Sequence, residues 1–147
     1  MIEAVGNIWS FPADYRVITT NGCVKKDGSA VMGRGVAKQA ANRFKSLPFE
    51  LGKLLKSSGN KCYIFKHFDN LITFPVKYNW FDKADLDLIK KSTAELSDLA
   101  NMELKYKTII MPRAGCGNGN RTWEEVKPIL MLLPDNVYII TLSVGMD

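Results

Sequence analysis

Six short runs rich in valine, isoleucine, threonine and aromatic residues alternate along the chain with helical patterns, and that alternation admits few folds. The strand-like runs are residues 2–8, 16–20, 62–65, 71–74, 108–111 and 137–142. Between them, Val36, Ala37, Ala40 and Phe44 keep helical spacing, as do Leu86, Ile89, Thr93, Leu96 and Leu99. Pro48, Phe49, Leu51, Leu54 and Leu55 predict a short helix closing at Gly59. A last helix is expected over 122–132, opened by a capping box of Thr122 and Glu125 and followed by Pro134. Pro128 inside it predicts a kink or an early end. The pattern reads as a layered α/β fold. No repeat, low-complexity tract or linker interrupts it, so one domain over 1–147 is expected.

Composition narrows the chemistry. Hydrophobic residues make up 46% and charged residues 24%, ordinary globular usage that argues against a disordered chain. No apolar run approaches the roughly 20 residues of a membrane span, and Met1-Ile2-Glu3 opens no signal peptide. A soluble, cytoplasmic protein without a membrane partner is expected. The single histidine, His67, leaves no His-x-x-x-His site, and Cys23, Cys62 and Cys116 contain no Cys-x-x-Cys pair. Neither a metal site nor a disulfide framework is expected. Twenty Lys+Arg against 15 Asp+Glu gives +5, a balance that favours an anionic partner.

Two glycine clusters fall directly after strand-like runs and lead into helices. The first runs from Asn21-Gly22 through Gly28 to Gly33-Arg34-Gly35, the second is Gly115-Cys116-Gly117-Asn118-Gly119. In α/β sheets ligands sit beyond strand ends, where helix N-termini offer free amides and the positive end of the helix dipole. Two such turns suit a ligand with two linked phosphates. Neither is a Walker A loop, because Arg34-Gly35 stands where Lys-Ser/Thr belongs, and neither has Gly-x-Gly-x-x-Gly spacing. Spacing alone reaches a nucleotide-like pocket and stops there.

With these residues in view, the sequence resembles the macrodomain family, which binds ADP-ribose. Four segments carry the resemblance in family order: Val5-Gly6-Asn7-Ile8-Trp9; Thr20-Asn21-Gly22 with Val31-Met32-Gly33-Arg34-Gly35-Val36-Ala37; Ile72-Thr73-Phe74-Pro75-Val76-Lys77-Tyr78-Asn79-Trp80; and Pro112-Arg113-Ala114-Gly115-Cys116-Gly117-Asn118-Gly119. The third is similar to a run of the DarG-type antitoxin macrodomains, which remove ADP-ribose from DNA thymidines and are related to the terminal ADP-ribose protein glycohydrolase. The resemblance implies a three-layer α/β/α macrodomain with a central mixed sheet of about six strands flanked by helices. It implies no cofactor and no metal, with ADP-ribose as ligand or product, and a monomer.

The resemblance also implies roles. Lys77 would be the catalytic lysine, by attacking the opened sugar or by polarising the leaving group, and Asn21 would bond the distal ribose beside the anomeric carbon. Asn7 and Ile8 would meet the adenine, with Asn7 standing where many relatives have aspartate. Gly33, Arg34, Gly35 and Val36 would line the ribose and diphosphate. Gly115, Cys116, Gly117, Asn118 and Gly119, with Arg113, would embrace the diphosphate. Trp80, Tyr78 and Phe81 read either as rings that stack on a base or cover the pocket, or as plain packing. Cys116 itself reads as a small buried filler, His67 as a strand-end residue and Lys25-Lys26 as a solvated pair. Gly119 replaces the aspartate that assists the glycohydrolase lysine, as in the DarG-type domains, and Asn120-Arg121-Thr122 departs from that subgroup.

The implied activity is removal of single ADP-ribose groups from a nucleic acid base, thymidine-type, or from a protein acceptor, so that ADP-ribosylated DNA is an expected partner. Two alternatives stand beside it: a phosphatase acting on ADP-ribose 1″-phosphate, and a non-catalytic protein that reads or sequesters ADP-ribose or a related NAD-derived signal.

Overall fold

The computed structural model describes residues 1–142, and the remainder of the expected 1–147 domain lies outside them. In chain order the elements are β1 (Ile2–Val5), β2 (Tyr15–Asn21), α1 (Gly35–Arg43), α2 (Leu47–Ser58), β3 (Ile64–Phe65), β4 (Leu71–Lys77), α3 (Leu86–Asn101), β5 (Ile109–Pro112), α4 (Trp123–Leu130) and β6 (Val137–Thr141). The strands form one sheet in the order β1-β6-β5-β2-β4-β3. Every pairing is parallel except β3 with β4, so the sheet is mixed.

Strand alternation divides the core between the two faces. Val17, Ile72, Phe74, Ile109 and Met111 pack with Ile89 and Leu96 of α3 and with Val126 and Leu130 of α4. Their strand neighbours Ile18 and Leu71 pack with Ala37 and Ala40 of α1 and with Leu47 and Leu51 of α2. Helices therefore cover both sides, and the three-layer α/β/α architecture follows.

Element ends differ from expectation where a side chain competes with the ladder. Strand β1 stops at Val5 because the Asn7 carbonyl accepts from the amides of Ser10 and Phe11, and its Oδ1 accepts from Trp9 N. Strand β3 begins at Ile64, since Cys62 N donates to Glu95 Oε1 and Tyr63 N to Thr73 Oγ1. Strand β4 runs three residues past Phe74, through Pro75, to Lys77. Its antiparallel partner covers only Leu71 and Ile72, so the outer side is free of ladder bonds where the proline sits. Helix α4 ends at Leu130, and Leu132 and Leu133 close it with i→i−3 bonds.

Candidate functional site

Strands β2, β4 and β5 end on the same edge of the sheet, and a cavity of about 420 Å³ opens there. Its walls are Thr19, Thr20 and Asn21 of β2, Val76 and Lys77 of β4, Pro112 and Arg113, residues 31–37, Trp80, and Gly115, Gly117, Asn118 and Gly119. Every site residue expected from the sequence reaches this cavity except Asn7, Ile8 and Cys116. Asn7 is exposed and spends its side chain on its own turn, while the Ile8 carbonyl accepts from Arg16 Nε at 2.8 Å. Cys116 turns away from the cavity, packing against the α3/α4 core as the filler reading expects. Thr19, Thr20, Val31, Met32, Ala37, Val76 and Pro112 also line the cavity, though the sequence assigned none of them a role. All but Thr19 fall within the segments that carry the resemblance, and their position beside the strand ends and glycine clusters was the further signal.

Lys77 enters through an irregularity. Pairing between β2 and β4 matches Thr20 with Pro75 but Asn21 with Lys77, leaving Val76 as an extra residue. A bulge of this kind re-aims the residue that follows it, and here it brings Lys77 level with Asn21. The lysine is 8% exposed, and its Nζ donates to the carbonyls of Trp80 (3.1 Å) and Asn118 (3.0 Å). Burial pulls its pKa below the usual lysine range, the neighbouring Arg34 pulls it further down, and Asp82 opposes both. Asn21 is held at both ends: Nδ2 donates to Val31 O at 2.9 Å, and Oδ1 accepts from Cys23 N at 2.9 Å. The turn reading of Asn-Gly and a place on the cavity wall thus hold together.

The two glycine clusters are built differently. Helix α1 starts at Gly35 with Arg34 as N-cap and no side chain capping its first turn, so amides at the cavity edge remain open to an anion. The second loop folds on itself through Cys116 N to Arg113 O, Asn120 N to Gly117 O and Arg121 N to Gly115 O. Those bonds leave the amides of Gly117, Asn118 and Gly119 without a protein acceptor among the described residues. A Cβ on Gly119 would stand 2.5 Å from Gly115 O and 2.8 Å from Ala84 Cβ, whereas one on Gly117 would meet nothing within 4 Å. Gly115 holds φ at +75° against Ala84 and Ile89. Packing therefore demands Gly115 and Gly119 although both reach the cavity, while Gly117, like Gly33, leaves open space where a Cβ would stand.

Charge completes the picture. Lys77, Arg34 and Arg113 line the cavity, and among the described residues no carboxylate does. Arg113 is also anchored, 3.6 Å from Glu3 and stacked over the Trp123 ring. Arg34 lies over the Trp80 ring, 5.7 Å from its centroid. Among the described residues no group of three or more His, Cys, Asp or Glu side chains is placed to hold a metal, and no helix is long and apolar enough to cross a membrane. His67 pairs with Glu50 at 2.7 Å and does not line the cavity.

No protein-family model matches the chain, and no curated protein does. Solved structures do match, and with the sheet order they show that the chain has the macrodomain fold. Within that class it is similar to the macrodomains of DarG. That of Mycobacterium tuberculosis DarG is 25% identical, with a TM-score of 0.78 and 97% of each chain covered. That of Thermus aquaticus DarG is 23% identical, with a TM-score of 0.78 and the same coverage. Thermosipho africanus DarTG, solved in complex with ADP-ribose, is 19% identical with a TM-score of 0.79. That match covers 95% of this chain but 41% of the DarTG chain.

Proposed function

We propose that the protein binds ADP-ribose in this cavity and hydrolyses a mono-ADP-ribosyl bond with Lys77, the acceptor being a nucleic acid base of the thymidine type. The observation that carries the reading is a buried lysine of lowered pKa in a cavity whose charged lining, among the described residues, is Lys77, Arg34 and Arg113. Open amides of the α1 first turn and of residues 117–119 suit a diphosphate, and Arg34 and Arg113 add charge. The adjacent register of Asn21 and Lys77 puts a positioning residue beside a reactive amine at one end.

The bond broken joins the anomeric carbon of the distal ribose to the acceptor. Water finally supplies hydroxyl to that carbon and a proton to the acceptor. An amine whose charged form is disfavoured is a better nucleophile and base near neutral pH, which is what burial beside Arg34 provides. Attack by Nζ on the opened sugar passes through an imine. Polarisation of the leaving group does not, so trapping with borohydride separates the two.

The test is release of ADP-ribose from a thymidine-ADP-ribosylated oligonucleotide by wild type and by Lys77→Ala, with ADP-ribose affinity measured by calorimetry. Release by wild type alone supports the reading. Binding without release by either protein overturns hydrolysis and leaves a phosphatase or a binding module, and absence of binding overturns the site itself.

A further inference from the structure

Three aromatic side chains stand in the open where β4 leaves the sheet. Tyr78 is 54% exposed, Trp80 45% and Phe81 67%, within four residues of one another and directly after buried Lys77. Trp80 and Phe81 meet edge to face, with ring centroids 5.6 Å apart and planes at 89°. Trp80 also lines the cavity, so the Trp80–Phe81 pair continues from its wall onto the surface, with exposed Tyr78 two residues before Trp80. The loop is firmly tied: Lys77 holds the Trp80 carbonyl, Asn79 Nδ2 bonds Asp82 at 3.1 Å, and Ala84 N donates to Gly119 O at 2.9 Å. Exposing large rings on a fixed loop forgoes their burial, and such patches mark places where something docks.

We infer that Tyr78 and Phe81 form a stacking platform that seats unpaired bases of a single-stranded nucleic acid at the mouth of the cavity, and so select the acceptor. This rests on the reading of the cavity as an ADP-ribose site. An acceptor bonded to the distal ribose must leave the cavity beside Lys77, and the surface there offers flat rings. Arg34 lies over Trp80 and Lys83 follows in the loop, where Asp82, which accepts from Asn79 Nδ2, is the one acid among residues 78–84. Exposed rings beside cations, on a chain of net charge +5, match the chemistry of a base-and-phosphate strand. A protein side-chain acceptor brings one extended group and few phosphates, and has little use for successive rings.

The experiment uses Tyr78→Ala, Phe81→Ala and the ring-preserving Tyr78→Phe. Each is measured for calorimetric ADP-ribose affinity, for anisotropy binding of an unmodified thymidine-rich single strand, and for turnover of an ADP-ribosylated oligonucleotide and an ADP-ribosylated protein. The platform predicts unchanged ADP-ribose affinity in all three variants. It also predicts strand affinity and oligonucleotide turnover falling by about tenfold or more in the alanine variants, with Tyr78→Phe near wild type. Undiminished strand binding in both alanine variants overturns it, and so does no strand binding by wild type. Equal losses on the protein substrate also overturn it, pointing to a protein-docking surface. A wild type that binds the strand but not ADP-ribose fails the cavity reading instead.

Discussion

The Nζ of Lys77 donates at 3.0 Å to the carbonyl of Asn118, forty-one positions later, and its second bond reaches the Trp80 carbonyl. One ammonium thus ties the end of β4 both to its own following loop and to the second glycine loop. The lysine is a clasp across the cavity as well as the candidate reactive group. Replacing it with methionine keeps its length and apolar packing but removes the amine. Lys77→Met is expected to bind ADP-ribose like wild type and to lose at least about 100-fold in turnover. Calorimetry and a release assay check this, and turnover within a few-fold of wild type would remove Lys77 from the chemistry.

Gly117 and Gly119 should part company under mutation. A side chain at Gly119 collides with Gly115 and Ala84, so Gly119→Ala is expected to lower stability by about 1–3 kcal/mol. Gly117→Val fills open cavity space, and should abolish ADP-ribose binding with the urea midpoint unchanged. Equal behaviour of the two in paired denaturation and calorimetry experiments would contradict the loop geometry.

With Lys77 attacking as the neutral amine, turnover at saturating substrate is expected to rise with pH through its lowered pKa, whereas polarisation of the leaving group by the ammonium would make it fall. Arg34 depresses that pKa and Asp82 raises it. The rising limb should therefore move to higher pH in Arg34→Gln and to lower pH in Asp82→Asn. Stability follows the same proton. Between the folded-state pKa and the ordinary lysine value the unfolded chain holds more protons, so stability increases with pH there. Lys77→Met should flatten that slope, as pH-dependent urea titrations can show.

Salt should discriminate acceptors. With a nucleic acid strand contributing phosphate contacts, kcat/KM on an ADP-ribosylated oligonucleotide is expected to fall at least about tenfold between roughly 50 and 200 mM salt. A flat response would favour a protein or free-nucleotide substrate.

Thr122 caps α4: its Oγ1 accepts from Glu125 N at 3.2 Å. Thr122→Ala should cost about 1 kcal/mol of stability and leave ADP-ribose affinity untouched. A thermal melt indistinguishable from wild type would show the cap to be dispensable.

Much of this molecule is legible locally. Each expected strand and helix exists, because period and turn chemistry act over a few residues: Thr122 with Glu125 opens α4, and Gly59 closes α2 at φ +94°. The glycine clusters and the residues around Lys77 likewise carried the resemblance to macrodomains, and the solved structures share that fold. Asn7 and Ile8 were drawn toward the site by the same resemblance, yet their turn leaves them outside the cavity. That outcome depends on Trp9 and Arg16, whose bonds the strand pattern does not contain.

By itself the sequence determined the layered α/β plan, the two glycine turns and the identity of most groups that meet at the cavity, since those properties reside in short stretches of chain. Only the tertiary structure decided that β4 passes through Pro75, which depends on how far β3 reaches beside it. It alone set the bulge that aligns Lys77 with Asn21 and the partners that hold the lysine amine. It also separated Gly115 and Gly119, which packing requires, from Gly117, where a Cβ would meet open space. Each of these turns on atoms brought together from distant parts of the chain, where desolvation, steric contact and charge depend on positions that no local pattern records.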